Sequence, residues 1–303
     1  MAQIHLHPRT CPICGSGQES RLFAEANVDL AALDGFAFAS RKLPEYMHWR
    51  LMECSHCDLL YADPAPTLDD LASLYRDADF DSSEEARRAR RPEGRLTHGI
   101  VPRLPPDRDA AADIGTGDGI FLRELIDAGF REVVGIEPSA APIAAAADDL
   151  RPLIRQEMFK PDTFPSGSMS LITCFQTIEH LADPLAFCRD AHRALKPGGA
   201  LLLVGHNRRA LSARLLGRKS PIFDIEHLQL FSPAAARALA RAAGFDRVDV
   251  GVVYNRYPAR YWARLFPFPR AVKPAVQGML DRTGLGKVPI PLAAGNMAVA
   301  CYR

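Results

Sequence analysis

The chain has 303 residues, enough for one large domain with a smaller one beside it. Its 48% hydrophobic and 24% charged residues are typical of a globular protein and exclude a wholly disordered or fibrous chain. The 37 Lys and Arg residues nearly balance the 36 Asp and Glu residues, so any binding to nucleic acid or anionic lipid has to be local. We expect a cytoplasmic protein, because no apolar run has the length of a secretory signal or of the roughly 18 residues that a membrane span needs.

Two Cys-x-x-Cys pairs near the N-terminus predict a metal site. They are Cys11 with Cys14 and Cys54 with Cys57, and 39 residues separate them. Four thiolates from two such turns can form a closed tetrahedral zinc site, whereas a redox dithiol needs only one pair. We therefore predict structural Zn²⁺ held by these four cysteines. Three histidines are alternative ligands but are expected in solvent: His5, His7 and His56.

The order of patterns along the chain predicts three parts. Residues 1–65 form the zinc-binding module, and residues 66–107 form a helical bridge and linker that ends before the main domain, residues 108–303. Thr67, followed three residues later by Asp70, resembles a capping box at the start of a helix. The charged segment 81–106, with its basic run Arg87, Arg88, Arg90 and Arg91, is expected to be a polar linker.

From Asp109 onward, β-like runs alternate with helical patterns. Such alternation predicts an α/β fold with a doubly wound, mostly parallel sheet. Ser232-Pro233 has the sequence of a helix start, and Gly244 is placed to end that helix. The last residues, NMAVACYR, predict a final strand.

The segment ADIGTGDGIFL at 112–122 runs from a strand through a glycine turn into a helix. A glycine turn lets a ligand approach the backbone N–H groups, and Glu137 follows the next strand, where an acid can hold ribose hydroxyls. These features indicate a nucleoside-bearing ligand. Gly115, Gly117 and Gly119 are spaced differently from a dinucleotide fingerprint.

Acidic residues in this turn favour a cationic ligand. Asp113 ends the strand and Asp118 lies in the turn. Both would repel a pyrophosphate and would suit ammonium and sulfonium groups. The electrostatics therefore indicate S-adenosylmethionine.

The segment 112–122 resembles the first motif of the class I S-adenosylmethionine-dependent methyltransferases, and GIEPS at 135–139 resembles their ribose-binding motif. The segments FQTIEHLADPLAFCRDAHRALKPGGALLL and EHLQLFSP continue the likeness, which covers about residues 108–303. The resemblance implies a seven-stranded Rossmann-like sheet and S-adenosylmethionine as methyl donor. It also implies these cofactor-binding residues: Asp113, Gly115, Thr116, Gly117, Asp118, Gly119, Glu137, Pro138 and Gln176.

The sequence departs from the family at the start of strand four, where many relatives have an aspartate and this chain has Ser170. The acid that contacts adenine after strand three is also indistinct, and Glu157 is the nearest. The adenine contacts are therefore left unassigned.

The cysteine module in front of such a domain resembles small-molecule methyltransferases of sugar and natural-product biosynthesis. This resemblance implies an acceptor such as a sugar or a sugar-nucleotide. An RNA or protein methyltransferase, and a non-catalytic zinc-dependent binding protein, are the alternatives. Nucleic acid is disfavoured, because the cysteine turns have no clustered basic and aromatic residues.

Three histidines are candidates for accepting a proton from the acceptor: His180, His206 and His227. His180 and His206 follow predicted strands, at the edge of an open α/β sheet where ligands bind. His227 lies in a loop-like segment. O-methylation and C-methylation both need a base, so these histidines do not distinguish them.

The segment 256–270 predicts an amphipathic helix with Arg256, Arg260 and Arg264 on one face, beside Tyr257 and Tyr261. An arginine face can hold a phosphate of the acceptor or rest on a membrane surface. The favoured interpretation is a solvated helix that packs its aromatic residues inward.

Overall fold

The N-terminal part of the protein is built from short antiparallel strands. A computed structural model of the chain describes residues 4–15, 19–29, 38, 46–76, 97, 99–266, 268–269 and 271–303. Most of the predicted linker, with its four arginines, lies outside these residues. The elements before residue 77 are β1 Leu6–His7, β2 Ser20–Ala24, β3 Leu51–Cys54, β4 Leu60–Ala62, β5 Ala65–Pro66 and α1 Leu68–Arg76.

The rest of the chain forms a larger α/β body. Its strands are β6 Ala110–Ile114, β7 Glu132–Ile136, β8 Ile154–Arg155, β9 Met169–Phe175, β10 Leu195–His206, β11 Gln229–Leu230, β12 Arg247–Val252, β13 Asn255–Pro258, β14 Pro289–Leu292 and β15 Asn296–Tyr302. Its helices are α2 Leu122–Asp127, α3 Ala140–Ala144, α4 Pro184–Ala194, α5 Leu211–Leu216, α6 Pro233–Ala242, α7 Ala259–Leu265 and α8 Lys273–Arg282. In the described part of this body, 3₁₀ turns accompany them at Val101–Arg103, Arg151–Leu153, Gly217–Lys219 and Leu285–Lys287.

The central sheet has seven strands in the order β12-β15-β10-β9-β6-β7-β8. Strands β6 to β10 pair in parallel, and β15 is antiparallel to both of its neighbours. All residues of β6 and β9 are buried, as expected for strands covered on both faces. The predicted doubly wound, mostly parallel, seven-stranded sheet is confirmed.

Side-chain caps begin several of the helices. Ser232 Oγ accepts from the amide of Ala235 at 3.1 Å, and Pro233 occupies the first turn of α6. Asp183 caps α4 in the same way, through the amide of Ala186 at 2.9 Å. Thr67 Oγ1 accepts from the amide of Asp70 at 3.3 Å, which confirms the predicted start of α1.

A second sheet joins the cysteine-bearing strands to the larger body. Its order is β11-β4-β3-β2, so the short strand from residues 229–230 pairs with β4. Arg9 strengthens the junction, because its guanidinium donates to the carbonyls of Ala182 and Leu228 at 2.6 and 3.2 Å. The predicted division after residue 65 stays a prediction, and strand pairing crosses it.

Three cysteines outside the N-terminal pairs are buried: Cys174, Cys188 and Cys301. Burial in apolar surroundings raises the pKa of each thiol, to about 12 for Cys301. They behave as small core side chains.

An insertion between β12 and β15 carries the hairpin β13–β14 and the helices α7 and α8. The predicted single arginine face is wrong for Arg256, which pairs with Pro291 in the hairpin, while Arg260 and Arg264 lie in α7. The reason is Pro258, because a proline disfavours helical backbone at the residue before it. Tyr261 is buried against Tyr257, with ring centroids 4.5 Å apart. Within the described ranges, no helix has the length and apolar character to cross a membrane.

Candidate functional site

The glycine turn after β6 has the backbone conformation that only glycine adopts readily. Gly115, Gly117 and Gly119 have φ values of +74°, +60° and +71°. A Cβ on Gly115 would collide with the side chain of Thr177, so the turn also requires a small residue there. The turn lies at the carboxyl end of the central strands, where ligands bind in open α/β sheets.

Glu137 is buried at the end of β7 and is oriented by two backbone amides. Its Oε2 accepts from Gly117 at 2.9 Å, and its Oε1 accepts from Ser139 at 2.9 Å. A carboxylate oxygen has more than one lone pair, so a group of this kind can accept hydrogen bonds from ligand hydroxyls as well as from backbone amides. The predicted ribose-binding acid is thus tied directly to the glycine turn.

Asp113 is buried near the end of β6 and accepts a hydrogen bond from Thr173 Oγ1 at 2.7 Å. Asp118 is also buried, within the turn itself, and Pro138 is half-buried beside Glu137. Thr116 Oγ1 is buried and has no hydrogen-bond partner among the described residues. Buried carboxylates and an orphaned hydroxyl fit a polar, cationic ligand such as S-adenosylmethionine.

Gln176 follows β9 directly and has φ = +52°, a strained conformation for a residue other than glycine. Its backbone amide donates to the carbonyl of Val204 at 2.7 Å, which fixes the turn beside β10. Ser170, the departure at the start of strand four, donates to the carbonyl of Asp107 at 3.0 Å. The serine therefore stabilises the strand start, far from the glycine turn.

The three candidate histidines lie together. The ring centroid of His227 is 5.0 Å from that of His180 and 5.0 Å from that of His206. Two further polar residues that we did not predict join them. Tyr75 Oη lies 3.1 Å from His180 Nδ1, and Glu226 Oε2 lies 3.7 Å from the same atom.

Neither addition had a strong signal in the sequence. Tyr75 belongs to α1, and in sequence it is one member of an apolar stripe. Glu226 directly precedes His227, and that adjacency is the one feature that could have drawn attention to it. The fold brings α1 to the histidines across 105 residues of chain.

Burial keeps all three imidazoles neutral. Desolvation lowers the pKa of His206 to about 3 and of His227 to about 4, and it lowers the pKa of His180 well below its ordinary value. His227 Nδ1 lies 2.8 Å from the carbonyl of Ile222, which can only accept. The proton of the neutral ring is therefore on Nδ1, and Nε2 has the lone pair. Glu226 Oε1 lies 3.9 Å from that Nε2.

Glu179 lies behind the histidines. Its Oε1 accepts from the backbone amide of His206, and its Oε2 is buried without a partner among the described residues. Burial raises the pKa of this carboxyl to about 7, against the opposing effect of its backbone hydrogen bonds. The carboxyl of Glu179 therefore fixes the end of β10 behind the three histidines.

The four cysteines of the N-terminal pairs converge. The sulfurs of Cys11, Cys14, Cys54 and Cys57 lie within 4.8 Å of one another, with separations of 3.5 Å for Cys11–Cys57 and 3.9 Å for Cys14–Cys54. A tetrahedral Zn–S₄ centre with 2.3 Å bonds has sulfurs about 3.8 Å apart. The donor set and spacing therefore fit a zinc ion.

The alternative histidine ligands lie elsewhere. His5 Nδ1 is 3.3 Å from Asp70 Oδ2, and His56 pairs with Glu19; both rings are exposed. The ligand atoms of His180, Glu226 and His227 also lie within 4.8 Å of one another. A metal ion at this second group would bind to the imidazole lone pairs that would otherwise accept a proton.

Comparisons with known proteins agree with this geometry. A family model described as "Methyltransferase domain" matches residues 83–250. A Pseudomonas aeruginosa protein named "Ubiquinone biosynthesis O-methyltransferase" is 29% identical over 166 residues, covering 49% of this chain and 70% of that protein. A Mycolicibacterium smegmatis protein named "Probable S-adenosylmethionine-dependent methyltransferase" is 30% identical over 162 residues, covering 52% of this chain and 61% of that protein.

Among solved structures, a chain of the Haloferax volcanii complex between the Trm112 methyltransferase activator and a methyltransferase has a TM-score of 0.50. It is 20% identical, and the match covers 77% of this chain and 96% of that chain. At this identity the likeness shows the fold alone.

Proposed function

This chain belongs to the S-adenosylmethionine-dependent methyltransferase family, and we propose that it transfers the methyl group to an oxygen or carbon atom of a small biosynthetic metabolite. The enclosed cluster of neutral histidines is the observation that carries the proposal. O–H and C–H acceptors of low acidity need a proton acceptor beside the donor site, and these imidazoles supply one.

The donor is held by the glycine turn, with Glu137 at the ribose and Asp113 near the cationic end of the ligand. S-adenosylmethionine, when bound, supplies an electrophilic methyl group. Gln176 follows β9, which lies in the sheet between β6, before the glycine turn, and β10, which ends at His206. Its backbone amide donates to Val204 in β10. The protein's own task is to align the acceptor and to accept its proton.

His227 is the best of the three candidates for the base. The carbonyl of Ile222 fixes its tautomer, so Nε2 can accept the proton that leaves the acceptor. Because a buried imidazolium is costly, the step needs a nearby negative charge. The carboxylate of Glu226 supplies that charge at 3.9 Å from Nε2. His206 and His180 then line the site, and Tyr75 orients His180.

A small acceptor is favoured over a macromolecule. His227 is buried, and His180 and Glu226 have only 15% and 13% of their side chains exposed. Such an enclosed cluster suits a metabolite that can enter a pocket. The O-methyltransferase name of the Pseudomonas relative supports a hydroxyl acceptor, and the resemblance to sugar-modifying enzymes makes a sugar or sugar-nucleotide the first class to test.

We also propose that the four clustered cysteines bind structural Zn²⁺. The closed thiolate set leaves no open coordination position, so the metal would stabilise the N-terminal strands rather than act on the substrate.

A methyl-transfer assay tests the proposed function. Purified protein is incubated with isotope-labelled S-adenosylmethionine and, separately, a hydroxylated sugar-nucleotide, a keto-sugar nucleotide and a phenol; mass spectrometry then detects the labelled product. His227→Gln should lower kcat/KM about 10²–10⁴-fold, with little change in donor affinity. His192→Gln is the matched control, because His192 packs against Phe245 outside the cluster.

Three outcomes would overturn the proposal. An unchanged kcat/KM in His227→Gln would show that His227 is not the proton acceptor. A second metal ion per chain, lost in His227→Gln together with activity, would assign the His180, Glu226 and His227 group to metal binding instead. Methylation of bulk RNA or protein, but of no small acceptor, would favour a macromolecular substrate.

A further inference from the structure

Positive charge is concentrated in two segments of this nearly neutral chain, residues 210–220 and residues 252–295. Together they contain ten of the 37 Lys and Arg residues and one of the 36 Asp and Glu residues, Asp281. The rest of the chain therefore has 27 basic and 35 acidic residues. The first segment contains α5 and the turn after it, and the second is the insertion with α7 and α8. We call the two segments together the basic apolar surface.

The same segments expose much of the apolar surface of the protein. They hold eleven of the eighteen exposed large hydrophobic side chains found among the described residues. Leu211 and Leu215 on α5 are 70% and 76% exposed, and Met279 on α8 is 56% exposed. None of the ten residues of α8 is buried. Exposed apolar side chains on this scale mark an interaction surface.

Basic side chains accompany these apolar ones. Arg214, Arg218 and Lys219 are exposed on or just after α5, and Arg282 and Lys287 are exposed at the end of α8 and in the turn that follows. Apolar side chains that insert below lipid headgroups, bordered by cations that attract anionic headgroups, are the mark of a protein that rests on a membrane.

The two segments meet beside the histidine cluster. Gly295, at the end of the insertion, approaches Ser212 and Ala210 at the start of α5, and its carbonyl accepts from the amide of Asn207 at 2.7 Å. Next to it, Asn296 Oδ1 lies 2.9 Å from His206 Nδ1. The surface therefore borders the acceptor side of the protein rather than the far ends of the strands.

We propose that the basic apolar surface docks on an anionic lipid bilayer and so brings the acceptor side of the protein to the membrane. The charge balance favours this occupant over a second copy of the chain, because two such surfaces would repel each other. It also explains how a chain with almost no net charge can bind lipid, because ten of its cations fall within these two segments of the sequence. Docking does not depend on the identity of the acceptor.

Vesicle flotation tests the proposal directly. The full-length protein is mixed with vesicles of an equal mixture of phosphatidylcholine and phosphatidylglycerol, and in parallel with vesicles of phosphatidylcholine alone. We expect binding to the anionic vesicles, weakened by added salt, and much less binding to the zwitterionic ones.

Two pairs of variants separate charge from apolar insertion. Arg214→Glu with Arg218→Glu should weaken binding to anionic vesicles by roughly 30-fold or more, since each cation near the surface contributes about 1 kcal/mol. Leu211→Ser with Leu215→Ser should weaken it by at least roughly tenfold. Arg189→Glu with Arg241→Glu changes the net charge equally on the exposed faces of α4 and α6 and should leave binding unchanged.

Several results would overturn the proposal. They are absence of binding to anionic vesicles, equal binding to both kinds of vesicle, and equal loss in the α4 and α6 control. Binding to polyglutamate without binding to vesicles would assign the surface to an acidic protein partner. Concentration-dependent dimers that the leucine pair abolishes, again without vesicle binding, would assign it to a second copy. Calorimetric titration with S-adenosylmethionine checks that each variant is folded and is independent of docking.

Discussion

The guanidinium of Arg208 donates to the carboxylate of Glu53 across the junction between the central sheet and the cysteine-bearing sheet. Only 3% and 8% of these side chains are exposed. Arg208 also donates to Asp58 at 2.6 Å, and Asp58 directly follows Cys57. Because Arg208 lies two residues after His206, this buried pair connects the cysteine cluster to the edge of the acceptor site.

Glu53→Gln should destabilise the protein by about 3 kcal/mol at neutral pH, because it leaves a buried guanidinium without its full counter-charge. Burial alone would raise the pKa of Glu53, but hydrogen bonds from Arg208 and Arg21 outweigh it and lower the pKa. The contribution is therefore present above the unfolded pKa of about 4.3 and is lost as the pH falls below it.

Urea unfolding at neutral and acid pH measures this effect. The stability gap between wild type and Glu53→Gln should narrow in acid. Glu25→Gln is the control, since Glu25 is 72% exposed and lies 3.8 Å from Arg50; its effect should stay below about 0.5 kcal/mol. A gap that persists unchanged in acid would contradict the role given to the charge.

Glu179→Gln should stabilise the protein at alkaline pH. The carboxyl has a folded pKa of about 7, above its unfolded value, so the folded state binds more protons between the two values and stability falls as the pH rises through them. The amide avoids this loss, which amounts to about 3 kcal/mol above pH 8. Wild type and variant should converge near pH 4.

Thermal or urea unfolding over this pH range provides the check. Glu124→Gln, on the partly exposed side of α2, serves as control and should show no such divergence. A variant that loses stability equally at every pH would show that the carboxyl acts only by packing.

Removing the metal should unfold the N-terminal strands. We expect about one zinc ion per chain by elemental analysis and a loss of at least about 4 kcal/mol of stability with a strong chelator, because bound metal stabilises only the folded state. Cys54→Ser should abolish zinc binding. Cys188→Ser, at a buried cysteine outside the cluster, should keep it. Equal zinc content in the two variants would contradict the four-cysteine site.

Glu137→Gln should weaken binding of S-adenosylmethionine about 10- to 100-fold. The amide group has one acceptor oxygen where the carboxylate has two, so it cannot accept from both Gly117 and Ser139 and still bind ribose hydroxyls. Calorimetric titration measures the loss, and Glu132→Gln at the exposed start of β7 is the matched control. Stronger binding of NAD than of S-adenosylmethionine to wild type would refute the donor assignment.

Local sequence patterns were enough to predict the sheet, the glycine turn and the cysteine cluster. Buried parallel strands, glycine turns and Cys-x-x-Cys pairs each have a signature within a few residues of one another. The contacts that complete the candidate site have no such local signature. Tyr75 reaches His180 across 105 residues, and Arg208 reaches Glu53 across 155.

The insertion between β12 and β15 also depends on contacts that are distant in sequence. A helical spacing of arginines was visible in the sequence, but the hairpin that removes Arg256 from the helix depends on pairing with residues 289–292, more than thirty positions later. The tautomer of His227 likewise depends on the distance between its ring and one carbonyl, that of Ile222. Such features follow from tertiary packing, which no local pattern encodes.

The pairing of β11 with β4 ties the loop that carries Glu226 and His227 to the cysteine-bearing sheet, and Trp49 adds a hydrogen bond to Ile225 at 2.8 Å. The first 76 residues therefore border the histidine cluster of the proposed acceptor site, whereas the glycine turn, Asp113 and Glu137 of the proposed donor site belong to the central sheet and its loops. Selection could reshape substrate choice by altering the N-terminal part while leaving the methyl-donor machinery intact. A chimaera that takes its first 76 residues from a relative is accordingly expected to inherit that relative's acceptor preference and to keep its own affinity for the donor.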